Sequence, residues 1–302
     1  MLSFFFLLAV LLFCSAGPTW AQQQQTPIVI WHGMGDSCCN PISLGGFSKH
    51  LEEYLPGVYV HSLRIGNNII EDTENGFFMQ VNKQVQKACL QIKSDPNLKD
   101  GFNAIGFSQG AQFLRALAQR CPDPPMLNLI SLGGQHQGVY GLPHCFYPGH
   151  KWCDYVRKAL NHAAYESYVQ KTLVQAQYWH DPLNEDLYRN GSMFLADVNN
   201  EQVFNQEYRT NLLKLQNLVL VKFNNDSMVE PRSSEWFGFY APGQAVEELA
   251  LEDTDLYKED RLGLKVLNDS GRLHFLDLDG DHLEFTREWF NENIADKYLK
   301  SV

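Results

Sequence analysis

The stretch Gly106-Phe107-Ser108-Gln109-Gly110 follows the pattern Gly-x-Ser-x-Gly, and its surroundings decide how it folds. The apolar run at 102–105 predicts a short buried strand before it, and the spacing of apolar residues at 111–118 predicts an amphipathic helix after it. A strand, a sharp turn and a helix are the setting in which this pattern forms a nucleophile elbow. The pattern alone is common and can arise by chance, but the flanking segments favour the elbow.

Strands alternate with helices on both sides of this elbow, which is typical of a mostly parallel sheet with helices on both faces. From about residue 135 to 217 the alternation stops, and we predict a largely helical insertion that caps the sheet, with helical stretches such as 155–177. The other predicted strands are 27–31, 58–63, 126–132, 218–223 and 273–278, and the other predicted helices are 75–92 and 286–298.

The chain begins with an apolar run at 4–13 that is too short to span a bilayer and is followed by small residues. We interpret residues 1–21 as a signal peptide cleaved near 16–21, although Lys and Arg are absent from its start. Residues 22–302 then form one domain, in which we find no segment long and apolar enough to be transmembrane. The mature chain is expected to be soluble in the secretory pathway.

Composition supports an extracytoplasmic globular protein. The net charge of -11 argues against a nucleic-acid partner, which needs a basic surface. Cys14 lies in the leader, and the even number of cysteines that remains favours disulfides, whose pairing spacing alone leaves open. Cysteine and histidine spacing gives no convincing zinc site, and no metal or cofactor is expected. Glycosylation acceptors of the form Asn-x-Ser occur at Asn190, Asn225 and Asn268.

A serine nucleophile needs a base, and the order along hydrolases of this architecture is serine, acid, histidine. His274 and His282 are the histidines beyond the later strands. His274 lies inside the last predicted strand, where a packed structural role is the better interpretation. His282 follows that strand in a turn, so we predict that it is the general base.

The acid that orients the base should follow an earlier strand. Asp226 comes directly after the strand at 218–223 and is our candidate, with a turn-forming role and the neighbouring Glu230 as alternatives. Asp279 and Asp281 are too close to His282 in sequence to be obvious partners and are expected to shape its turn.

The oxyanion donors would be the backbone amides of Gln109 and Met34. Gln109 follows Ser108 at the positive end of the predicted helix. Met34 lies in the glycine-rich loop 32–36 after the first strand, where such a donor is expected. His32 of the same loop is expected to be structural.

At this point the residues resemble the palmitoyl-protein thioesterase family. The resemblance rests on residues 29–41, which include the adjacent Cys38 and Cys39, and on 103–110. It continues through 229–231, 235–240 and 280–283, and so spans nearly the whole mature chain.

The resemblance implies an α/β-hydrolase fold and a serine thioesterase that removes long-chain acyl groups such as palmitate from protein cysteines in the lysosome. It implies Ser108, Asp226 and His282 as the triad and Met34 and Gln109 as oxyanion donors. Its substrates would be S-palmitoylated proteins or peptides and fatty acyl thioesters, and the insertion would help form the acyl groove. The disulfides that it implies are Cys38–Cys39, Cys89–Cys121 and Cys145–Cys153.

Lysosomal delivery, through sorting receptors that recognise glycans, is likewise implied by resemblance, with secretion as an additional destination. Relative to the family pattern, an acceptor expected at Asn205 is absent and Asn268 is an addition.

Two other functions remain open from the sequence. One is a secreted lipase or carboxylesterase with the same triad, and the other is a catalytically silent hydrolase fold that binds lipid. The intact set of Ser108, Asp226 and His282 argues against the silent fold.

Overall fold

The computed structural model describes residues 25–141, 160 and 163–300. The predicted signal peptide and the predicted Cys145–Cys153 pair therefore lie outside the described residues. So does the part of the predicted insertion at 142–159 and 161–162.

Within this part of the chain, six strands form one sheet in which every neighbouring pair is parallel. The order is β2-β1-β3-β4-β5-β8, with β3 and β4 in the middle. A two-stranded antiparallel ribbon, β6-β7, lies apart from it. The bounds are β1 Ile28–Trp31, β2 Val60–Ser62, β3 Phe102–Phe107, β4 Met126–Leu132, β5 Asn217–Phe223, β6 Phe239–Tyr240, β7 Glu248–Leu249 and β8 Leu273–Leu278. The predicted parallel sheet is confirmed.

Helices cover both faces of the sheet. Alternation along β1 shows how the faces are divided, because successive side chains of a strand point in opposite directions. Ile28 and Ile30 belong to the core beneath the first and last helices, whereas Val29 and Trp31 belong to the larger core beneath α3 and α4. The bounds are α1 Leu44–Tyr54, α2 Ile69–Phe78, α3 Val81–Ser94, α4 Gln109–Arg120, α5 Ser167–Thr172, α6 Val174–Gln177, α7 Glu185–Gly191, α8 Leu195–Val198, α9 Gln206–Leu212, α10 Asp255–Lys258, α11 Leu264–Asp269 and α12 Arg287–Phe290, which continues as a π-helix over Asn291–Leu299.

No helix in the described ranges is sufficiently long and apolar to cross a membrane.

The single helix predicted at 75–92 is wrong, because the chain forms two helices with a break at Met79. Met79 has an extended backbone with ψ of 124°. Side-chain amides replace the helical hydrogen bonds at the break: Gln84 Nε2 donates to the carbonyls of Asn75 and Met79, and Gln177 Oε1 accepts from the amide of Val81. Gln84 lies within the predicted helix, but Gln177 comes from a distant segment, and the spacing of apolar residues reveals neither side-chain hydrogen bond.

The helical stretch predicted at 155–177 is also interrupted where the structure describes it. Leu173 is extended and separates α5 from α6. The side-chain amide of Gln170 donates to the carbonyls of Ala164 and Ala176 and so holds the two short helices together.

Helix α4, which follows the elbow, is buried on all sides from Gln109 to Gln119. The side chain of Arg115 is fully buried, and its guanidinium donates to the carbonyls of Val198 and His136 and to Asn199 Oδ1. Burial lowers the pKa of Arg115 to about 9. Arg115 thus ties the helix to the chain between β4 and β5 at two separate points.

Candidate active site

Ser108 lies between β3 and α4 in a conformation that few residues adopt. Its φ of 54° and ψ of -124° are strained for a side chain with a Cβ, and such strain is typical of functional sites. The glycines of the motif allow the turn: a Cβ on Gly106 would lie 2.2 Å from Ala111 Cα, and one on Gly110 would lie 2.4 Å from the Trp31 carbonyl oxygen. The Ser108 amide donates to the Leu132 carbonyl at 2.8 Å, which fixes the turn against β4.

His282 and Asp226 form a hydrogen-bonded pair in the structure, although they are far apart in sequence. Asp226 follows β5 and His282 follows β8, and these strands are parallel neighbours. The carboxyl ends of neighbouring parallel strands lie at the same edge of a sheet, so both side chains reach the same place. The Nδ1 of His282 donates to Oδ2 of Asp226.

Backbone amides hold the Asp226 carboxylate from the other side. Its Oδ1 accepts from the amides of Met228 at 2.6 Å and Val229 at 2.8 Å. Burial alone would raise the pKa of Asp226, but the hydrogen bond from His282 and these amides outweigh it and lower the pKa below its ordinary value. Asp226 is therefore ionised and directs the N–H of His282, which leaves Nε2 of that ring available.

The loop after β4 brings the histidine close to the elbow. Gly133 has a φ of +63°, and a Cβ there would lie 3.1 Å from Cε1 of His282. The residue before it, Leu132, accepts the hydrogen bond from the Ser108 amide. On the other side, a Cβ on Gly33 would lie 3.2 Å from Cβ of Ser108. Ser108, the glycine-rich loop 32–36 and the His282 loop thus meet at one edge of the sheet.

Of the two predicted oxyanion donors, Gln109 directly follows Ser108 in the chain, and Met34 follows Gly33, which lies against Ser108. The amide of Gln109 is in the first turn of α4, where helical amides have no partner within the helix. The Gln109 side chain is held by Tyr178, whose hydroxyl donates to Oε1 at 3.2 Å. The Met34 side chain contacts the chain between β4 and β5 through Gln175, whose Nε2 lies 3.0 Å from Sδ.

His32 has a structural environment, as expected. Its Nδ1 donates to the Gly33 carbonyl at 2.8 Å, and its Nε2 lies 3.3 Å from Oδ1 of the fully buried Asp72. Burial alone would lower the pKa of His32, but the interaction with Asp72 outweighs burial and raises it. Asp72 also accepts from the amides of Cys38 and Ile65, and its pKa is lowered. The contact between His32 and Asp72 joins the base of the loop to α2.

The other histidine and acidic residues that the sequence analysis considered make structural contacts. His274 is on β8 and contacts Asn217 Oδ1 at 2.8 Å. Glu230 is exposed and accepts from the Tyr240 hydroxyl. Asp281 shapes the turn, because it accepts from the amides of Ser227 and His282.

Sequence reasoning missed one buried group at this site, Glu235. Its side chain is fully buried, and Oε2 accepts from the amide of Phe223, the last residue of β5. One polar atom from each of Asp226, Glu235 and His282 lies within 4.8 Å of the other two. Glu235 belongs to the stretch 235–240 that resembles the family, and this was a signal that could have drawn attention to it. Nothing in the spacing of residues indicated that its side chain is buried.

Two disulfides connect described cysteines: Cys38 with Cys39, and Cys89 with Cys121. The first lies beside loop 32–36, where the Cys38 amide donates to Asp72. The second links α3 to the end of α4.

The three acceptors for glycans differ in accessibility. Asn190 and Asn225 are exposed. Asn268 lies within α11, is half-buried and donates through its side-chain amide to the Tyr257 hydroxyl.

Comparison with known proteins gives a consistent set of relatives. Residues 27–282 match the model of the family described as palmitoyl protein thioesterase. Palmitoyl-protein thioesterase 1 of Caenorhabditis elegans is 55% identical over 96% of this chain and 98% of its own length. Lysosomal thioesterase PPT2 of Homo sapiens is 30% identical over 83% of this chain and 80% of its own. Among solved structures, an extracellular α/β-hydrolase from a Paenibacillus species has a TM-score of 0.46 at 12% identity, over 90% of this chain and 98% of that one.

Proposed function

Because the chain belongs to the palmitoyl protein thioesterase family, we propose that it hydrolyses long-chain fatty acyl thioesters, including palmitoyl groups on protein cysteines, through an acyl-serine intermediate. The observation that carries the mechanism is the buried hydrogen bond between Asp226 and His282, beside the strained Ser108.

Each residue has a distinct role in the proposed reaction. His282 Nε2 takes the proton of the Ser108 hydroxyl as its oxygen attacks the thioester carbonyl. Asp226 holds the ring and stabilises the imidazolium. The tetrahedral intermediate then collapses and the carbon–sulfur bond breaks. The cysteine sulfur takes the proton from His282 and leaves as a thiol, so His282 is neutral again. Water, activated by the same histidine, adds to the acyl-serine ester and releases the fatty acid.

The amides of Met34 and Gln109 stabilise the oxyanion in both steps. Each such donor contributes about 3–4 kcal/mol to lowering the barrier in enzymes of this type. The contacts that support this assignment are those of the Gln109 side chain with Tyr178 and of Met34 with Gln175, which restrict both segments.

Residues 135–217 would form the cap that binds the acyl chain. The supporting contacts are made by α6, whose Gln175 and Gln177 reach Met34 and the start of α3. A long acyl chain needs an apolar surface next to Ser108, and this segment is in the position to supply one.

We further propose that the protein acts in the lysosome after entry through the secretory pathway. A lysosomal thioesterase among the relatives supports this destination. Exposed acceptors at Asn190 and Asn225 would carry the glycans that sorting receptors recognise.

The test is hydrolysis of palmitoyl-CoA and of an S-palmitoylated peptide by the purified protein and by Ser108→Ala. We expect kcat to fall by about 10⁶-fold in the variant, because the nucleophile is lost. Ser94→Ala, an exposed serine on α3, is the matched control and should keep wild-type kinetics. Brief reaction with palmitoyl-CoA followed by acid quenching and peptide mass spectrometry should find palmitate on Ser108.

Two results would contradict the proposal. Hydrolysis of palmitoyl oxygen esters with no turnover of thioesters would make the protein a carboxylesterase. No turnover of either substrate would make it a lipid-binding protein.

A further inference from the structure

Glu235 is a buried carboxyl group that the proposed mechanism does not use. It lies in the 3-10 turn Arg232–Trp236, and its side chain is fully buried. Oε2 accepts the amide N–H of Phe223 at 2.9 Å, but Oε1, also buried, has no hydrogen-bond partner among the described residues. A buried oxygen without a partner costs free energy unless it carries a proton that it can donate.

Asp226 offers an acceptor for such a proton. One polar atom of Glu235 lies within 4.8 Å of one of Asp226 and of one of His282. Asp226 accepts hydrogen bonds from two backbone amides and from His282, whereas Glu235 accepts from one amide. The carboxylate with more donors keeps the negative charge, and the other keeps the proton, since two adjacent buried carboxylates repel each other strongly.

The other charged groups around Glu235 do not neutralise it. Lys222 on β5 places its Nζ 4.0 Å from the centre of the Trp236 ring, and Arg232 donates to the carbonyls of Asp226 and Asn224. Within the described residues neither cation forms an ion pair with Glu235. Burial and the charge of Asp226 raise the pKa of Glu235 well above its ordinary value. The titratable and charged groups on the surrounding elements are Lys222, Asp226, Arg232, Asp277, Asp281 and His282.

We propose that Glu235 is a positioning residue, a neutral carboxylic acid whose O–H donates a hydrogen bond to the Asp226 carboxylate and so extends the activity of the enzyme to lower pH. The predicted effect on the pH range of activity rests on the proposed function, whereas the protonation of Glu235 does not. The hydrogen bond helps to keep Asp226 ionised, and Asp226 must be ionised to stabilise the imidazolium of His282.

The kinetic test compares Glu235→Gln with Glu235→Leu in the full-length mature protein. Glutamine keeps an N–H donor for Asp226, and we expect its kcat/KM for palmitoyl-CoA to stay within about threefold of wild type, with the acid limb of the pH profile unmoved. Leucine fills a similar volume without a donor. The pKa of Asp226 then rises, and the acid limb of the kcat/KM profile should move to higher pH, with the largest loss at the most acidic pH. Exposed Glu230→Gln is the control and should leave the profile unchanged.

A purely structural role for Glu235 would lower kcat/KM by the same factor at every pH, which would contradict the proposal. An acid limb shifted equally in the glutamine and leucine variants would contradict it as well.

Infrared spectroscopy tests the protonation directly and needs neither activity nor the leucine variant. The difference spectrum of wild type minus Glu235→Gln at neutral pH should contain the C=O stretch of a protonated carboxylic acid, which shifts on exchange into D₂O. The corresponding difference spectrum for Glu230→Gln should lack this acid band. A carboxylate band in place of the acid band for Glu235 would overturn the proposal even if thioester hydrolysis is confirmed. Conversely, an acid band in an inactive protein would refute the proposed function and leave the protonation of Glu235 standing.

Discussion

Two buried histidine–aspartate pairs lie on opposite sides of Ser108, and they differ in whether a ring nitrogen of the histidine is left free to accept a proton. His282 uses Nδ1 for Asp226, and within the described residues its Nε2 has no hydrogen-bond partner. His32 uses Nδ1 for the Gly33 carbonyl, and its Nε2 faces Asp72 Oδ1 at 3.3 Å without forming a hydrogen bond of good geometry. A histidine whose two nitrogens both face acceptors favours the imidazolium form, in which it can stabilise a loop but cannot accept a proton as a base.

The first way to test this comparison is to remove the charge of each aspartate. We expect Asp226→Asn to lower kcat by about 10⁴-fold, because the ring loses the partner that fixes its tautomer. Asp72→Asn should leave kcat within about tenfold of wild type but lower the free energy of unfolding by about 3–5 kcal/mol, since a buried imidazolium loses its counter-charge. Steady-state kinetics of both variants give kcat, and urea unfolding gives the free energy of unfolding. If Asp72→Asn loses as much activity as Asp226→Asn, the two pairs do not have separate roles.

The second test moves the His282 ring without changing its chemistry. A methyl group at Gly133 would meet Cε1 of His282 at 3.1 Å and Leu283 at 3.3 Å, at a φ of +63°. We expect Gly133→Ala to lower kcat/KM by about 10- to 100-fold, since small displacements of a catalytic group are costly.

The matched control is Gly243→Ala, which has a similar φ of +86° but nothing within 4 Å of the new Cβ. This variant should lose about 1 kcal/mol of unfolding free energy through backbone strain alone, and its kcat/KM should be unchanged. An equal loss of activity in both variants would show that strain, rather than the contact with His282, is responsible.

The smallest expected effect is the pH dependence of the His32–Asp72 pair. The pKa of His32 is raised from 6.5, so its contribution to stability is complete below that value and is lost as pH rises through the raised pKa. The pKa of Asp72 is lowered from 3.8, so its contribution is present above that value and is lost as pH falls through the lowered pKa. The pair therefore stabilises the fold most between these limits, which is an acidic range.

Urea unfolding of wild type and His32→Asn at pH 5 and pH 8 measures this dependence. The difference in unfolding free energy between the two proteins should be larger at pH 5. A difference that is equal at both values, or larger at pH 8, would mean that His32 is neutral in the folded protein.

The family and the fold predicted from the sequence are confirmed. Both could be predicted because they depend on local sequence patterns. Strands at 126–132 and 273–278 are continuous apolar or alternating runs, and the structure has them at those residues. Chain order and position at strand ends led us to predict Asp226 and His282 as acid and base, and the structure has a hydrogen bond between them. Their catalytic roles stay a prediction.

What the sequence did not predict depends on contacts between distant segments. The break at Met79 is stabilised by a hydrogen bond to Gln177. Asp72 is buried where it accepts a hydrogen bond from the distant Cys38 amide. Glu235 was overlooked because a glutamate beside a tryptophan is ordinary on a surface, and only the packing of its turn against β5 buries it. Side-chain hydrogen bonds across the fold leave no periodic trace in the chain.

The complete burial of α4 has a consequence for how the protein survives among proteases. Ser108 precedes a helix with no solvent-facing side, and Arg115 ties that helix to the carbonyls of His136 and Val198. A protease can reach peptide bonds in such a helix only after the surrounding core has opened, at a free-energy cost close to that of global unfolding. Cleavage at the elbow and loss of the whole fold are therefore one event, so a molecule that still resists digestion there also still carries its serine in place.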